Sequence, residues 1–165
     1  MLDLDLPLAD ATAPIAVTAD SAERAQAVRC GERWFAFPYG WARAAVELVQ
    51  LSAVPGAPGW LAGAANVEGR IVPVIDLVAW ITPGRFVDAR AKDARLLVGG
   101  EGEDVVAVLF HGMPRLVRVT REVQRAIGND RLAPFLLGHD TLDLQTVALD
   151  APRLVEALIE ELALR

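Results

Sequence analysis

Two histidines and a few acidic residues are the side chains of this sequence that could support acid–base chemistry. His139 and Asp140 are adjacent and could supply a general base with its orienting acid, and Asp76 and His111 complete the candidates for a small hydrolase. No strand–serine–helix elbow accompanies them, and neither histidine has a second His or Cys at metal-ligand spacing. A hydrolase is therefore the remote alternative, and turn or interface positions are the favoured interpretation of both histidines.

The other residues with chemical potential also favour structural roles. Cys30 is the only cysteine, so no disulfide can form within the chain, and its apolar surroundings indicate a small core residue. The glycines of residues 99–102 are interrupted by Glu101, whereas a phosphate-binding loop needs backbone amides and a lysine. We expect no cofactor, no metal and no catalytic residue, which favours a protein that acts by contact.

Charge and composition narrow the class of partner. The 165-residue chain carries a net charge of −6 with 53% hydrophobic and 23% charged residues, a globular composition that disfavours binding to nucleic acid or to an acidic membrane surface. No apolar run reaches the length of a transmembrane span and no basic leader starts the chain, so we expect a cytoplasmic protein. One basic cluster without interleaved aromatic residues is expected to face solvent or another protein: Arg115, Arg118, Arg121, Arg125 and Arg131.

The elements that must position these residues are organised around the stretch Gly63–Trp80. Its β-branched residues predict a strand at Ala64–Val67, a tight turn at Glu68–Gly69 and a second strand at Arg70–Ile75. Asp76 follows the apolar run and is expected to cap a short helix. Pro73 has no N–H to donate, which predicts an edge or a bulge in the second strand.

The first half of the chain predicts a hairpin and one ambiguous segment. Residues 1–20 are acidic and rich in Ala and Pro, which indicates a flexible tail, although its alternating leucines would also fit an added edge strand. Strands at Ala25–Cys30 and Arg33–Gly40 form the hairpin. Arg43–Leu51 fits either a helix or a strand. A short helical turn is predicted at Trp60 and Leu61.

The second half follows a polar loop, Pro83–Asp93, which is the predicted boundary between two halves. After it the pattern predicts strands at Arg95–Val98, Val105–Phe110 and Leu142–Leu149, a turn at His111–Gly112, and a long connection, Thr120–Asp140, with a helical piece at Arg121–Ile127. Asp150 is expected to cap a final helix with an apolar stripe from Leu154 to Leu162. Short strands with turn signals and one good helix favour small β-barrels over a βαβ sheet.

One segment carries a resemblance to a known family. NVEGRIVPVIDL resembles the N-[LV]-x-G-x-[IV]-[VL]-P-[IV]-x-D-L signature of the CheW-like domain, the adaptor of bacterial chemosensory arrays, because Asn66, Gly69, Pro73, Asp76 and Leu77 have the right spacing. The resemblance extends over about Ala25–Leu162. It implies a mainly β fold of two intertwined five-stranded SH3-like barrels that share a hydrophobic core, with a C-terminal helix, over residues 21–165.

The same resemblance implies partners and contact residues. CheW-like adaptors bind the regulatory domain of the histidine kinase CheA and the cytoplasmic tip of chemoreceptors. Other CheW-like domains are a further candidate partner, and the sequence leaves open whether copies of this chain bind each other. The positions that match family contact points are Gly63, Val67, Met113 and Gly138. The two glycines fit a turn role equally well.

Two departures from the family pattern bear on partner choice. Glu68 stands where the family commonly has Arg, and Ala44 stands where an acid commonly pairs with that Arg. Arg43 is adjacent and could restore a charge pair of reversed polarity. The expected function is a non-enzymatic adaptor between chemoreceptors and a CheA-type kinase. The alternatives are the version found in type IV pilus systems, which the PFLLG segment resembles, and a diverged module for another regulator.

Overall fold

The computed structural model describes residues 23–121 and 131–165, which form a mainly β structure with a C-terminal helix, as the sequence predicted. The predicted tail at residues 1–20 and the helical piece at Arg121–Ile127 fall wholly or almost wholly outside this range. In chain order the elements are β1 (Glu23–Cys30), β2 (Arg33–Pro38), β3 (Ala42–Glu47), β4 (Leu61–Val67), β5 (Arg70–Ile75), α1 (Leu77–Ile81), β6 (Ala94–Gly99), β7 (Val106–Thr120), β8 (Leu136–Asp140), β9 (Val147–Leu149) and α2 (Ala151–Ala163).

Five strands pair in a closed circuit, which we call the closed half. β1 pairs with β2, β2 with β9, β9 with β8, β8 with the end of β7, and β7 with β1. Of these five pairings, only that of β2 with β9 is parallel. Every strand of the circuit therefore has a neighbour on each side, and the closed half leaves few main-chain groups for a partner strand.

The other strands form a series with two ends, which we call the open half. β3 pairs with β6, β6 with the first part of β7, β7 with β5, and β5 with β4. Among the described residues, the second edge of β4 has a single bridge, Ser52–Ala64, and β3 has no second strand. The 15-residue β7 belongs to both halves and connects them.

Alternation along β2 divides the closed half between two hydrophobic clusters. Phe35 and Phe37 belong to a large core that both halves and α2 share, whereas Ala36 faces a small second cluster. The large core also contains Val72, Leu97, Leu109, Phe110, Leu149 and Leu158; the small cluster contains Ala25, Ala27, Ala36, Val119 and Ala148. Because the two halves bury apolar side chains in the same core, each half stabilises the other.

The central hairpin and both helix caps confirm the sequence predictions. Glu68 and Gly69 have φ values of 51° and 84°, the left-handed conformations that a two-residue hairpin turn requires. Asp76 accepts a hydrogen bond from the Ala79 amide, and Asp150 caps α2. Pro73 is exposed and lies just before the residues of β5 that pair with β7.

Three predictions about the strands were wrong, and one ambiguity is resolved. Leu61 begins β4 and is not helical, and Ala42–Glu47 is a strand. His111 and Gly112 continue β7 without a turn, because Gly112 (φ 81°) donates to the Asp93 carbonyl while β1 shifts register nearby.

The strand predicted at Leu142–Leu149 is limited to its last three residues. Asp140 accepts from the Leu142 amide, and Asp143 accepts from both the Gln145 amide and the Thr146 hydroxyl. These local side-chain bonds offer the backbone an alternative to a sheet ladder, so the apolar alternation of this segment lies in a turn.

Candidate functional site

The acidic candidate Asp76 is a structural group. It is 2% exposed, and its two carboxylate oxygens accept from the amides of Ala79 (3.0 Å) and Val87 (2.8 Å). Burial raises the pKa of Asp76, and the amide hydrogen bonds only partly oppose this effect. The carboxylate joins α1 to the loop before β6, and each of its oxygens accepts from a backbone amide.

The two histidines and Asp140 are also engaged with the backbone. The Nε2 atom of His111 lies 2.8 Å from the Asp88 carbonyl oxygen, and the Nδ1 atom of His139 lies 3.0 Å from the Asp140 carbonyl oxygen. The Asp140 side chain accepts from the Leu142 amide. The adjacent base and acid of the sequence therefore stabilise a turn, and they do not form a base–acid pair through their side chains.

Cys30 lies in the core, as the sequence predicted. It is fully buried, and burial raises the pKa of its thiol, with the nearby Asp76 charge adding to this effect. A thiol in these surroundings stays protonated and is a poor nucleophile. Within residues 23–121 and 131–165, no three His, Cys, Asp or Glu side chains converge as metal ligands do, and neither α1 nor α2 has the length and apolar character needed to cross a bilayer.

Gly63 and Gly138 both lie where the backbone of another segment approaches closely. A Cβ atom on Gly63 (φ 152°) would lie 2.5 Å from the Ser52 carbonyl oxygen, and one on Gly138 would overlap the Thr120 carbonyl. The close approach of the neighbouring backbone is therefore sufficient to explain why each position is glycine, without any contact with a partner.

Arg43 and Glu68 do not form the charge pair that the sequence raised as a hypothesis. The Arg43 guanidinium donates to the Gly100 carbonyl oxygen at 3.1 Å, and among the described residues it has no ion pair with Glu68. Ala44 is exposed on β3, opposite Val98. Three positions remain candidates for contact with a partner: Arg43 and Ala44 on β3, the outer strand of the open half, and Glu68 in the turn between β4 and β5.

The β4–β5 hairpin presents apolar surface at its outer face. Val67 is half-buried and Glu68 is exposed at the turn. Ile71, which is 67% exposed, follows on β5 opposite Asn66. The sequence analysis predicted a strand here without assigning Ile71 to a face, and the alternation of Ile71 with the buried Val72 places its side chain outside.

Met113 is exposed on the part of β7 that pairs with β1. It is 66% exposed, and Leu116, three residues later, is 57% exposed. Met113 therefore remains a candidate contact residue.

A groove of about 960 Å³ lies where α2 meets the turn before β3 and the turn between β6 and β7. Its apolar residues include Trp41, Val155 and Ile159, the last of which is 47% exposed. Trp41 stacks on Phe37 with 5.4 Å between ring centroids, and its ring covers Gly99 so closely that a Cβ there would overlap it.

Acidic residues surround this groove. Its lining includes six carboxylates and one basic residue, Arg121, which pairs with Glu23. The carboxylates are Glu23, Glu101, Asp104, Asp150, Glu156 and Glu160. The groove therefore favours an apolar segment with basic flanks. Sequence reasoning missed it because its walls come from four distant parts of the chain.

Comparison with known proteins gives three findings. A family model described as "CheW-like domain" matches residues 24–158. Protein PilI of Pseudomonas aeruginosa is 33% identical over 70 residues, which is 42% of this chain and only 38% of the length of PilI. The crystal structure of scaffolding protein TtCheW from Thermoanaerobacter tengcongensis has a TM-score of 0.64 at 17% identity, and covers 78% of this chain and 88% of that chain. This last likeness is one of fold.

Proposed function

Because this chain belongs to the CheW-like domain family, we propose that it is a non-enzymatic adaptor that couples chemoreceptors to a CheA-type histidine kinase. The observation that carries the proposal is the extent of the family match, residues 24–158, which spans both the closed and the open half. The buried, backbone-bonded state of Asp76 and His139 agrees with action by contact. The proposal places the protein in the cytoplasm, where such a kinase works.

The kinase regulatory domain would bind the outer face of the β4–β5 hairpin. Ile71 offers exposed apolar area there, and Val67 and Glu68 lie at the end of the same hairpin. The second edge of β4 has one bridge among the described residues, so main-chain groups next to this face are available for pairing. Glu68 supplies a negative charge and selects a partner surface with a basic residue at that point.

The chemoreceptor tip would bind in the groove between α2 and Trp41. A receptor hairpin presents an amphipathic helix, and the groove offers an apolar floor with carboxylates on its rim. The carboxylates Glu101, Asp104, Glu156 and Glu160 take part in no ion pair among the described residues. They are therefore free to select a receptor helix with basic flanks.

The match to PilI favours one version of the proposal. The matched 70 residues support an adaptor in a chemosensory system for type IV pili over one for flagella. The fold likeness to a CheW scaffolding protein is compatible with both versions. We also propose that the closed and open halves correspond to the two five-stranded SH3-like barrels of the family, with the Ser52–Ala64 bridge as the start of closure in the open half.

Calorimetric titration of the purified chain with the regulatory domain of each CheA-type kinase of the host tests the proposal. We expect binding to at least one of them. If none binds, the adaptor function is wrong and only the family and fold remain. Co-purification from the host then identifies the regulator that a diverged module of this fold would bind.

A second titration tests the groove with a peptide of the receptor tip. Glu156 and Glu160 lie on the exposed side of α2, so reversal of both to lysine should leave the fold intact and weaken receptor binding by at least about tenfold, or 1.4 kcal/mol. The matched control also reverses two exposed acids, Glu32 and Glu103, neither of which lines the groove. Equal effects of the two changes would contradict the groove assignment.

A further inference from the structure

An exposed basic and apolar patch lies on the strand pair of β1 and β7. Arg24 is directly opposite Arg118, and Gln26 is directly opposite Leu116, so the four side chains share one face of the sheet. The Arg24 guanidinium lies over the Tyr39 ring, 5.4 Å from its centroid. Tyr39 is 49% exposed and Leu116 is 57% exposed. We call these five residues the β1–β7 patch.

The two arginines of the β1–β7 patch have no acidic partner among the described residues. Two arginines directly opposite on neighbouring strands repel each other and reduce stability. Within residues 23–121 and 131–165, neither Arg24 nor Arg118 forms an ion pair, whereas Arg121 pairs with Glu23 beside them. A protein with a net charge of −6 that keeps two arginines together on an apolar surface has a site suited to an anionic segment.

We propose that the occupant is the N-terminal segment of this same chain, residues 1–22, which docks on the β1–β7 patch and covers it. This segment contains four aspartates and no lysine or arginine, so its side chains carry a charge of −4. It also contains Leu2, Leu4, Leu6 and Leu8, which can cover Leu116 and the Tyr39 ring. The segment and the patch are thus complementary in both charge and apolar character.

The position of the segment in the chain supports this assignment. It leads directly into Glu23, which begins β1 opposite Val119, one residue from Arg118. Consecutive Cα atoms are 3.8 Å apart, so Asp20 lies within about 12 Å of Glu23, and 22 extended residues reach about 70 Å. Since the segment is attached beside the patch, its effective concentration there is in the millimolar range.

The other large surface feature repels the segment. The groove between α2 and Trp41 has six carboxylates in its lining, so an acidic segment is disfavoured there. The two surfaces are oppositely charged and therefore favour different partners. Basic helices are favoured in the groove, and the acidic segment is favoured on the β1–β7 patch.

A spin label on the N-terminal segment tests the proposal in the full chain. Cys30 is fully buried with a raised thiol pKa, so a nitroxide reagent will modify only a new cysteine at Ala9→Cys. We expect loss of the amide NMR signals of Gln26, Leu116 and Arg118. The signals should return at about 1 M salt, where the Debye length falls to about 3 Å.

Two sets of variants separate docking from an effect on folding. Reversal of both patch charges, Arg24→Glu with Arg118→Glu, should abolish the signal loss, and so should conversion of the four segment aspartates to asparagine, which leaves the described fold untouched. The control is Arg153→Glu, an exposed arginine on α2 outside the patch, which should preserve the loss.

Three outcomes would overturn the proposal. The first is signal loss spread evenly over the surface. The second is loss that persists in the aspartate-to-asparagine variant. The third is found in a mixture of two copies, one isotope-labelled without a spin label and the other spin-labelled. Loss of amide signals from the isotope-labelled copy would show that the segment of a second copy fills the patch.

Discussion

The closed and open halves use the same kinds of strand but differ in their edges. Each strand of the closed half pairs with two neighbours. A strand there cannot shift sideways to accommodate a substitution without losing one of its pairings. In the open half β3 and β4 end the series, and β4 has one bridge on its second side among the described residues. The closed half is therefore suited to rigidity, and the open half is suited to binding along its edges.

Gly138 gives the largest expected effect and tests the closed half. A Cβ atom at this position overlaps the Thr120 carbonyl, and neither β8 nor β7 can move away without breaking the circuit. We expect Gly138→Ala to reduce the free energy of unfolding by about 3 kcal/mol or more, measured by urea denaturation. Gly40→Ala is the control, since a Cβ there meets nothing within 4 Å. Equal stabilities of the two variants would show that the closed half can adjust to the added Cβ atom and is not rigid.

Gly63 is the matching test in the open half. Its Cβ would lie 2.5 Å from the Ser52 carbonyl oxygen and 3.1 Å from the Leu51 side chain, but only one bridge holds Ser52 against β4. We expect Gly63→Ala to cost about 1–3 kcal/mol in the same denaturation experiment, less than Gly138→Ala, because the segment before β4 can shift. If Gly63→Ala reduced the free energy of unfolding more than Gly138→Ala does, the open half would be the more rigid of the two.

Arg131 links the two helices at the surface. Its guanidinium lies 4.5 Å from the centroid of the Trp80 ring on α1, donates to the Trp80 carbonyl at 2.9 Å, and pairs with Glu161 on α2 at 2.6 Å. Both charged side chains are partly exposed, so we expect Arg131→Ala to cost only about 1–2 kcal/mol. A double-mutant cycle with Glu161→Ala measures the pair; a coupling energy of zero would show that the two charges act independently.

Asp76 gives the smallest effect, visible as a pH dependence. Burial raises its folded pKa above the ordinary value of 3.8, so between these two values the native state holds more protons than the unfolded state. The free energy of unfolding contributed by Asp76 therefore falls as pH rises through this window and is constant above it. We expect the stability of the wild type relative to Asp76→Asn to fall over the same window in urea titrations. A rise with pH would mean that the amide hydrogen bonds outweigh burial.

Local chemistry made the central hairpin and the helix caps predictable. The turn at Glu68–Gly69 and the two helix caps, Asp76 and Asp150, each depend on residues within a few positions of one another. The local sequence is therefore sufficient to predict them. The continuation of β7 through His111 and Gly112 was missed because it depends on pairing with β1 and on the Asp93 carbonyl, which are distant in the chain.

The candidate surfaces were predictable only in part, for the same reason. Met113 and the turn residue Glu68 are exposed, as contact residues must be, and they could be named from the resemblance to the family. The groove and the β1–β7 patch could not, because they depend on which distant residues meet. Arg24 and Arg118 are almost a hundred positions apart, and register alone places them opposite each other.

The most direct test of the account compares two exposed aliphatic residues, one in each half, in their effect on kinase binding. Ile71 is 67% exposed on the hairpin of the open half, and Leu142 is 93% exposed in the turn between β8 and β9 of the closed half. Titration of Ile71→Asp and Leu142→Asp with the kinase regulatory domain should show at least tenfold weaker binding for the first, about 1.4 kcal/mol, and no change for the second. Unchanged binding of Ile71→Asp, or equal losses in both, would contradict the account.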